Sequence, residues 1–244
     1  MQKYVIPLSI VGMTDAIAYM IVAPSIIFYV LENGGDQSQY GVILSIFSFA
    51  SFCTKPFLGS WTDRGGFRIP YFVSLGTSSL GGFLYFLAYA FPKGYWAVLS
   101  IFVARALSGV GAANTALGYA YIAKMLPSGE QTKMNSLLSM IRIFGMAAGP
   151  GVNVFLAHID FDLFGYHVDH LNSVGLVLVI LNLLALFCIY QFLDEPESED
   201  DEKESVGDNV QKKENFGDLI KNVLSFDICV YLISIFSFNA NFQM

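Results

Sequence analysis

Long apolar runs separated by short polar stretches dominate this chain. Near-continuous apolar segments cover residues 4–31, 40–61, 69–91, 95–125, 134–158 and 174–193. Each is long enough to cross a bilayer, whose hydrocarbon core of about 30 Å takes roughly 20 helical residues. Helix is the form such runs must adopt, because hydrocarbon offers no water to open backbone groups. The first run is too long for the roughly 7–15-residue apolar stretch of a signal peptide, so it reads as a retained span. A seventh apolar run begins near Val223 and is still apolar at Phe242. The connections at 32–39, 62–68, 92–94, 126–133 and 159–173 are short, and the one long polar stretch is 194–222. The pattern predicts an all-α, polytopic membrane protein. It has a six-helix transmembrane bundle over 1–193, an acidic cytosolic linker over 194–222, and the start of an incomplete seventh transmembrane helix over 223–244, with a second bundle missing.

Composition supports that reading and charge adds orientation. Of the 244 residues 55% are apolar and 14% charged, against about 25% charged in a soluble domain. The net charge of −7 is local: residues 194–204 hold eight acids and one Lys, which accounts for all of it. That stretch has the composition of a solvated tether between bundles. Lys and Arg gather on one set of connections (Lys3, Arg64, Arg68, Lys124, Lys133 and the linker lysines), while the opposite set holds Lys93 alone. By the positive-inside bias the N-terminus and the linker are cytosolic, and Glu32, Asp36, Asp160, Asp162 and Asp169 face a lumenal or extracellular space. No basic stripe points to nucleic acid. Cys53, Cys188 and Cys229 fall in apolar runs, without metal or disulfide spacing, and read as small buried hydrophobes.

Three segments have motif-like spacing. Between the second and third runs stands Gly59-Ser-Trp-Thr-Asp63-Arg64-Gly-Gly66-Phe-Arg68. Here Gly59 is expected to allow close helix approach, Gly66 a turn at positive φ, and Asp63 a charge-assisted bond with a neighbouring Arg. The fourth run carries Arg105-Ala-Leu-Ser-Gly109-Val-Gly111-Ala-Ala113, an intramembrane cation beside a small-residue face. The fifth carries Gly145-Met-Ala-Ala-Gly149-Pro150, a small-xxx-small packing surface followed by a helix-bending proline.

In order and placement these segments resemble the signature motifs of the major facilitator superfamily: G-x-L-A-D-R-x-G-R-R, R-x-x-Q-G-x-G and G-x-x-x-G-P. Trp61, Phe67 and Ser108 depart from the usual Leu, Arg and Gln, and Asn153 and Val154 stand where glycines often follow. The resemblance implies alternating access between two six-helix bundles. In it Asp63 faces a helix of the second bundle and latches one state. Residues around the fourth and fifth runs, among them Asn114, Ala116, Tyr121, Glu130, Thr132 and Met134, echo the branch of domain-containing protein 8, the lysosomal, ceroid-lipofuscinosis type. That likeness implies an endosomal or lysosomal membrane and passage of small solutes or of anions such as chloride.

Four charges lie within spans: Asp15, Lys55, Arg105 and Arg142. Intramembrane ionisable residues are functional candidates by default. Lys55 is near a helix end and reads as a snorkelling side chain. Asp15 and Arg105 lie about ten to eleven residues, roughly 15 Å, from opposite ends of antiparallel helices. They are expected to meet near the midplane in a water-filled cavity, as a pair that holds or exchanges a proton. Arg142 is a second cavity-facing candidate for an anionic solute, and Asn114 joins the same transport set. His158, His167 and His170 share one lumenal connection with three acids and are candidate pH-sensing groups. No constellation for a soluble enzyme, a cofactor or a metal centre is present in the sequence. The expected partners are the lipid bilayer, a small-molecule or anion substrate and the second six-helix bundle. Two further readings are a transport-inactive half acting as a binding or regulatory membrane subunit, and an anion channel-like member of the fold.

Overall fold

Proline, glycine and a few polar side chains decide where the apolar runs become helices and where those helices break. A computed structural model of the chain describes residues 5–163 and 165–193, without the side chains of 63–65 and 163. The elements are α1 (Val5–Val22), α2 (Ile26–Glu32), α3 (Gln37–Gly65), α4 (Arg68–Phe86), α5 (Tyr95–Gly111), α6 (Asn114–Met125), α7 (Ser128–Leu156) and α8 (Ser173–Phe192). A short 3-10 turn (Leu87–Ala90) extends α4, and a hairpin of β1 (Phe161–Leu163) and β2 (Tyr166–Val168) precedes α8. Six helical stretches among the described residues are long and apolar enough to cross a membrane. The protein is an all-α, multi-pass membrane protein with one small lateral hairpin. The linker and the seventh apolar run lie outside the described residues.

The first and fourth spans, expected as single helices, are each broken. Pro24 has no N–H and cannot continue α1. Ser25 closes the gap, its Oγ donating to the Ile21 and Val22 carbonyls at 3.2 Å each. Asn153 of α7 donates its Nδ2 to the same Ile21 carbonyl at 2.7 Å. The α5–α6 break falls at Ala112–Ala113, directly after the weak helix formers Gly109 and Gly111. Ser74 Oγ of α4 donates to the Gly111 carbonyl at this break. At the start of α3 a capping box satisfies the first turn. Asp36 Oδ1 accepts from the Gln39 N–H at 2.7 Å, and Gln39 Oε1 accepts from the Asp36 N–H at 3.0 Å. Gly66, with φ of 81°, ends α3 in the conformation its sequence position foreshadows. α7 begins six residues before the expected 134, because Pro127 in extended backbone sets its start at Ser128.

α1 packs on α7 and α8, α4 on α5 and α8, and α3 on α5. Glycines set the spacing. A methyl group at Gly145 would meet the Met13 carbonyl at 2.7 Å, and one at Gly149 would meet Met20 Cβ at 2.5 Å, so α7 lies directly against α1. A methyl at Gly109 would meet Phe47 Cα of α3 at 2.9 Å, and one at Gly111 would strike Ser74 and Ser78 of α4. Pro150 lies inside an uninterrupted α7. Gly59 is a correction: among the described residues no heavy atom lies within 4 Å of a methyl placed there, because α3 turns that face outward. Cys53 is exposed on α3 rather than buried, and Cys188 is half-buried.

The buried apolar residues form two cores. One, around Leu8, Phe67, Tyr71, Leu117, Tyr121 and Ile189, fills the end where α3 meets α4. The other, around Ile21, Tyr29, Tyr85, Ile101, Val174 and Leu178, fills the hairpin end. Phe67, where the family pattern has Arg, is 2% exposed and meets the Tyr121 ring edge-on at 5.1 Å. It therefore belongs to the first core. Polar groups collect at mid-height between the two.

Candidate functional site

That polar layer is built around Asp15 of α1. The α5–α6 break places Asn114 at the first turn of α6, 1% exposed, where its Nδ2 donates to Asp15 Oδ1 at 3.3 Å. Asp15 Oδ2 and Asn114 Oδ1 are buried without a hydrogen-bonding partner among the described residues. Such atoms cost about 1–3 kcal/mol each unless water or a ligand reaches them.

Asp15 lines three adjoining cavities. The largest, of 400 Å³, lies among α1, α3, α6 and α7, with Tyr19, Phe47, Ser48, Ser51, Lys55, Thr115, Arg142 and Met146 in its walls. A second, of 30 Å³, leads toward the hairpin-side core past Ser78, Arg105, Ser108 and Asn182. A third, of 20 Å³, leads the other way past Tyr71, Asn114, Thr115 and Arg142. Each small cavity has the volume and polar partners for about one water. Asp15 thus borders a small cavity on each side of the layer as well as the large one.

The expected meeting of Asp15 and Arg105 takes a different form. Both line the 30 Å³ cavity, but no ion pair joins them. Arg105, 2% exposed, lays its guanidinium over the Phe47 ring at 4.3 Å, and its Nε has no hydrogen-bonding partner among the described residues. Phe47 in turn meets the Tyr19 ring at 5.5 Å. An aromatic face attracts a buried guanidinium through the ring quadrupole. Arg142 lines both the 400 Å³ and the 20 Å³ cavities, and its Cγ would lie 3.3 Å from a methyl at Gly12. Gly12 therefore leaves room for the Arg142 stem beside α1. Lys55, expected to snorkel away, lines the large cavity instead.

The remaining candidates lie elsewhere. Arg68 Nε donates to the Leu193 carbonyl at 3.2 Å and its terminal nitrogen to the Tyr190 carbonyl at 3.4 Å, so Arg68 caps the end of α8. The side chains of Asp63 and Arg64 lie outside the described residues, although the backbone of both belongs to α3. In the hairpin, expected as a hydrated loop, Asp162 pairs across the strands with His167. His167 Nδ1 is 3.2 Å from Asp162 Oδ1, and its Nε2 is 3.7 Å from Asp160. The Asp162 hydrogen bond holds the His167 imidazole above the ordinary histidine value. His158 Nδ1 lies 3.2 Å from the Val154 carbonyl, and His170 is exposed. The described residues hold no group of three or more potential metal ligands. Tyr89 anchors the hairpin's far side by donating to Asp169 at 2.8 Å, and Tyr166 donates to the Phe86 carbonyl at 2.5 Å.

Ser48 and Ser51, which a search for intramembrane charge passes over, share the cavity wall with Lys55. Their spacing of three and four residues puts them on one face of α3.

Known proteins show the same architecture. Residues 8–244 match the Major Facilitator Superfamily. The class C tetracycline resistance protein of Escherichia coli is 27% identical over 159 residues, 65% of this chain and 38% of its own length. The class D tetracycline resistance protein of Salmonella ordonez is 24% identical over 206 residues, 83% of this chain and 48% of its own. Among solved structures, the inward-open xylose transporter XylE from E. coli superposes with a TM-score of 0.67 at 14% identity, over 99% of this chain and 56% of that one. At that identity the likeness is one of fold. The chain spans less than half the length of the curated relatives it matches here. With the family matched along nearly all of its length, this chain belongs to the major facilitator superfamily.

Proposed function

We propose that this chain forms the N-terminal half of a transporter that moves a small solute or anion by alternating access, with Asp15 as its proton-exchanging group. The reading rests on one observation. Asp15, an intramembrane carboxylate held by Asn114, borders a 400 Å³ cavity and two water-sized cavities on opposite sides of it. A carboxylate so placed can exchange protons with either side while it borders the solute space. Arg142 lines the same large cavity as Asp15, and Arg105 lines the smaller one that adjoins it. The relatives named above, two tetracycline resistance proteins and a xylose transporter, make a transporter the expected class. The second bundle supplies the other wall, and the loop of Gly59, Asp63, Arg64, Gly66 and Arg68 gates the cytosolic face. The endosomal or lysosomal membrane is supported by the branch resemblance around α5 to α7.

The test is flux through the full natural chain in proteoliposomes, with radiolabelled monocarboxylates, amino acids, sugars and chloride under an imposed pH gradient. Asp15→Asn is expected to abolish pH-driven accumulation while leaving solute exchange at equal pH. Unchanged pH dependence in Asp15→Asn ends the proton role. Absence of flux for every class, with the protein correctly folded, favours the binding or regulatory subunit instead.

A further inference from the structure

The large cavity has an uneven charge. Its walls carry two cations, Lys55 and Arg142, and one carboxylate, Asp15, whose Oδ1 is already taken by Asn114. Arg105 lies in the adjoining cavity, behind the Phe47 ring that borders both. Cations in a bilayer interior are costly, and they face an aqueous cavity or a counter-charge. The described residues supply neither Lys55 nor Arg142 with an ion-paired carboxylate. The excess positive charge is therefore offered to whatever fills the cavity.

Wall chemistry narrows the occupant. This half bounds a recess of 400 Å³, and the second bundle supplies its other wall. The walls are divided by chemistry. Ser48, Ser51 and Lys55 form one polar face of α3, while Tyr19, Phe47 and Met146 offer aromatic and thioether surface. The polar face and Arg142 suit a carboxylate, which takes short, charge-assisted hydrogen bonds from ammonium, guanidinium and hydroxyl groups. The apolar surface suits a ring or an alkyl body.

We infer that the solute bound in this cavity is an organic anion: a carboxylate held between Lys55 and Arg142, with an apolar body against Tyr19, Phe47 and Met146. The inference rests on the transport reading above and deepens it. Asp15 is then the group whose ionisation opposes the anion's charge. A protonated Asp15 leaves the cavity's cations free for the carboxylate, and an ionised one competes with it.

The test measures binding, apart from flux. The full natural chain in lipid nanodiscs is unfolded thermally over a concentration series of 1-naphthoate, its uncharged amide 1-naphthamide, the zwitterion 3-(1-naphthyl)alanine, and sodium chloride. A ligand that binds the folded state raises the unfolding temperature in a concentration-dependent way. The expected result is stabilisation by naphthoate, with much weaker effects of the amide and the zwitterion. Lys55→Gln and Arg142→Gln each raise the half-saturating naphthoate concentration by at least about tenfold. Lys55→Arg restores binding, and Lys93→Gln, on an outer turn, changes nothing. Lys55 is exposed in this chain, so its Gln variant folds and carries the test even if the Arg142 variant does not. Four results overturn the inference: equal stabilisation by amide and naphthoate, tighter binding of the zwitterion, an unchanged naphthoate curve in the Lys55 variant, or full reproduction of the effect by chloride. Naphthoate binding without any solute flux sinks the transport reading alone. Proton-linked flux of a neutral solute, with no naphthoate binding, sinks this inference alone.

Discussion

Asn114 and His167 show how a single polar side chain sets the state of a neighbouring charge. Asn114 donates to Asp15 from the start of α6, in a buried position. Asn114→Ala removes that donor and leaves Asp15 Oδ1 without its amide partner. The expected cost is about 1–3 kcal/mol of stability, read as a lower unfolding temperature in nanodiscs. Asp15→Asn together with Asn114→Ala recovers part of it, because a neutral amide costs less to leave unpaired than a carboxylate. His167 works the other way. Its pKa is raised by the Asp162 hydrogen bond, then by the charges of Asp160 and Asp162. A raised folded-state pKa means the stabilisation is fully present below the unfolded histidine value of about 6.5. It is lost as pH climbs through the raised value. An NMR titration should place the His167 midpoint above the ordinary histidine value of about 6.5, and Asp162→Asn should lower it toward that value. Of these pairings the sequence disclosed the chemistry and not the partners. Asp15 and Arg105 stand out as charges in apolar runs, and their matching depth is legible from helix rise. Their separation by Phe47 and the substitution of Asn114 as partner depend on side-chain directions that spacing does not define.

At the scale of elements, the close approaches are set by which glycines face a neighbouring backbone. Gly109 and Gly149 do so, and Gly59 does not. Gly109→Ala should destabilise the bundle by about 1–3 kcal/mol, since a methyl there meets the Phe47 backbone, which cannot move aside as a flexible side chain can. Gly59→Ala should instead stabilise α3 by up to about 1 kcal/mol, because it gains helix propensity and meets nothing within 4 Å among the described residues. Thermal unfolding of the two variants side by side separates packing from propensity, and a loss of equal size in both would contradict this division of roles. All six described spans were legible from apolar run length. The breaks after Val22 and Gly111 were less so, although Pro24 and the Gly109–Gly111 pair mark them. The hairpin was missed because its strands are only three residues each, too short for an alternating pattern to stand out. Tyr89 and Tyr166, which hold its surroundings to the end of α4, are distant in sequence from their partners.

For the molecule as a whole, orientation governs which side each cavity serves. By the distribution of Lys and Arg, the α6–α7 connection is expected in the cytosol and the hairpin on the far side. The fold supplies the framework for testing this, because it puts these two segments at opposite ends of the bundle. Phe67 and Leu126 share the apolar core of one end, while Leu171 and Val174, just beyond the hairpin, belong to the core of the other. With Cys53, Cys188 and Cys229 replaced by Ser, single cysteines at Ser128 and at Asp160 report the two ends. In cells whose plasma membrane alone is opened by digitonin, a membrane-impermeant maleimide should label Ser128→Cys and spare Asp160→Cys if the protein lies in an internal membrane. Full detergent permeabilisation should then expose Asp160→Cys. Labelling of Asp160→Cys from outside intact cells would place the protein at the cell surface and retain the orientation. Labelling of Asp160→Cys alone after digitonin would invert the orientation. In that case the 20 Å³ cavity beside Tyr71, not the 30 Å³ cavity beside Arg105, would lead from Asp15 toward the lumen.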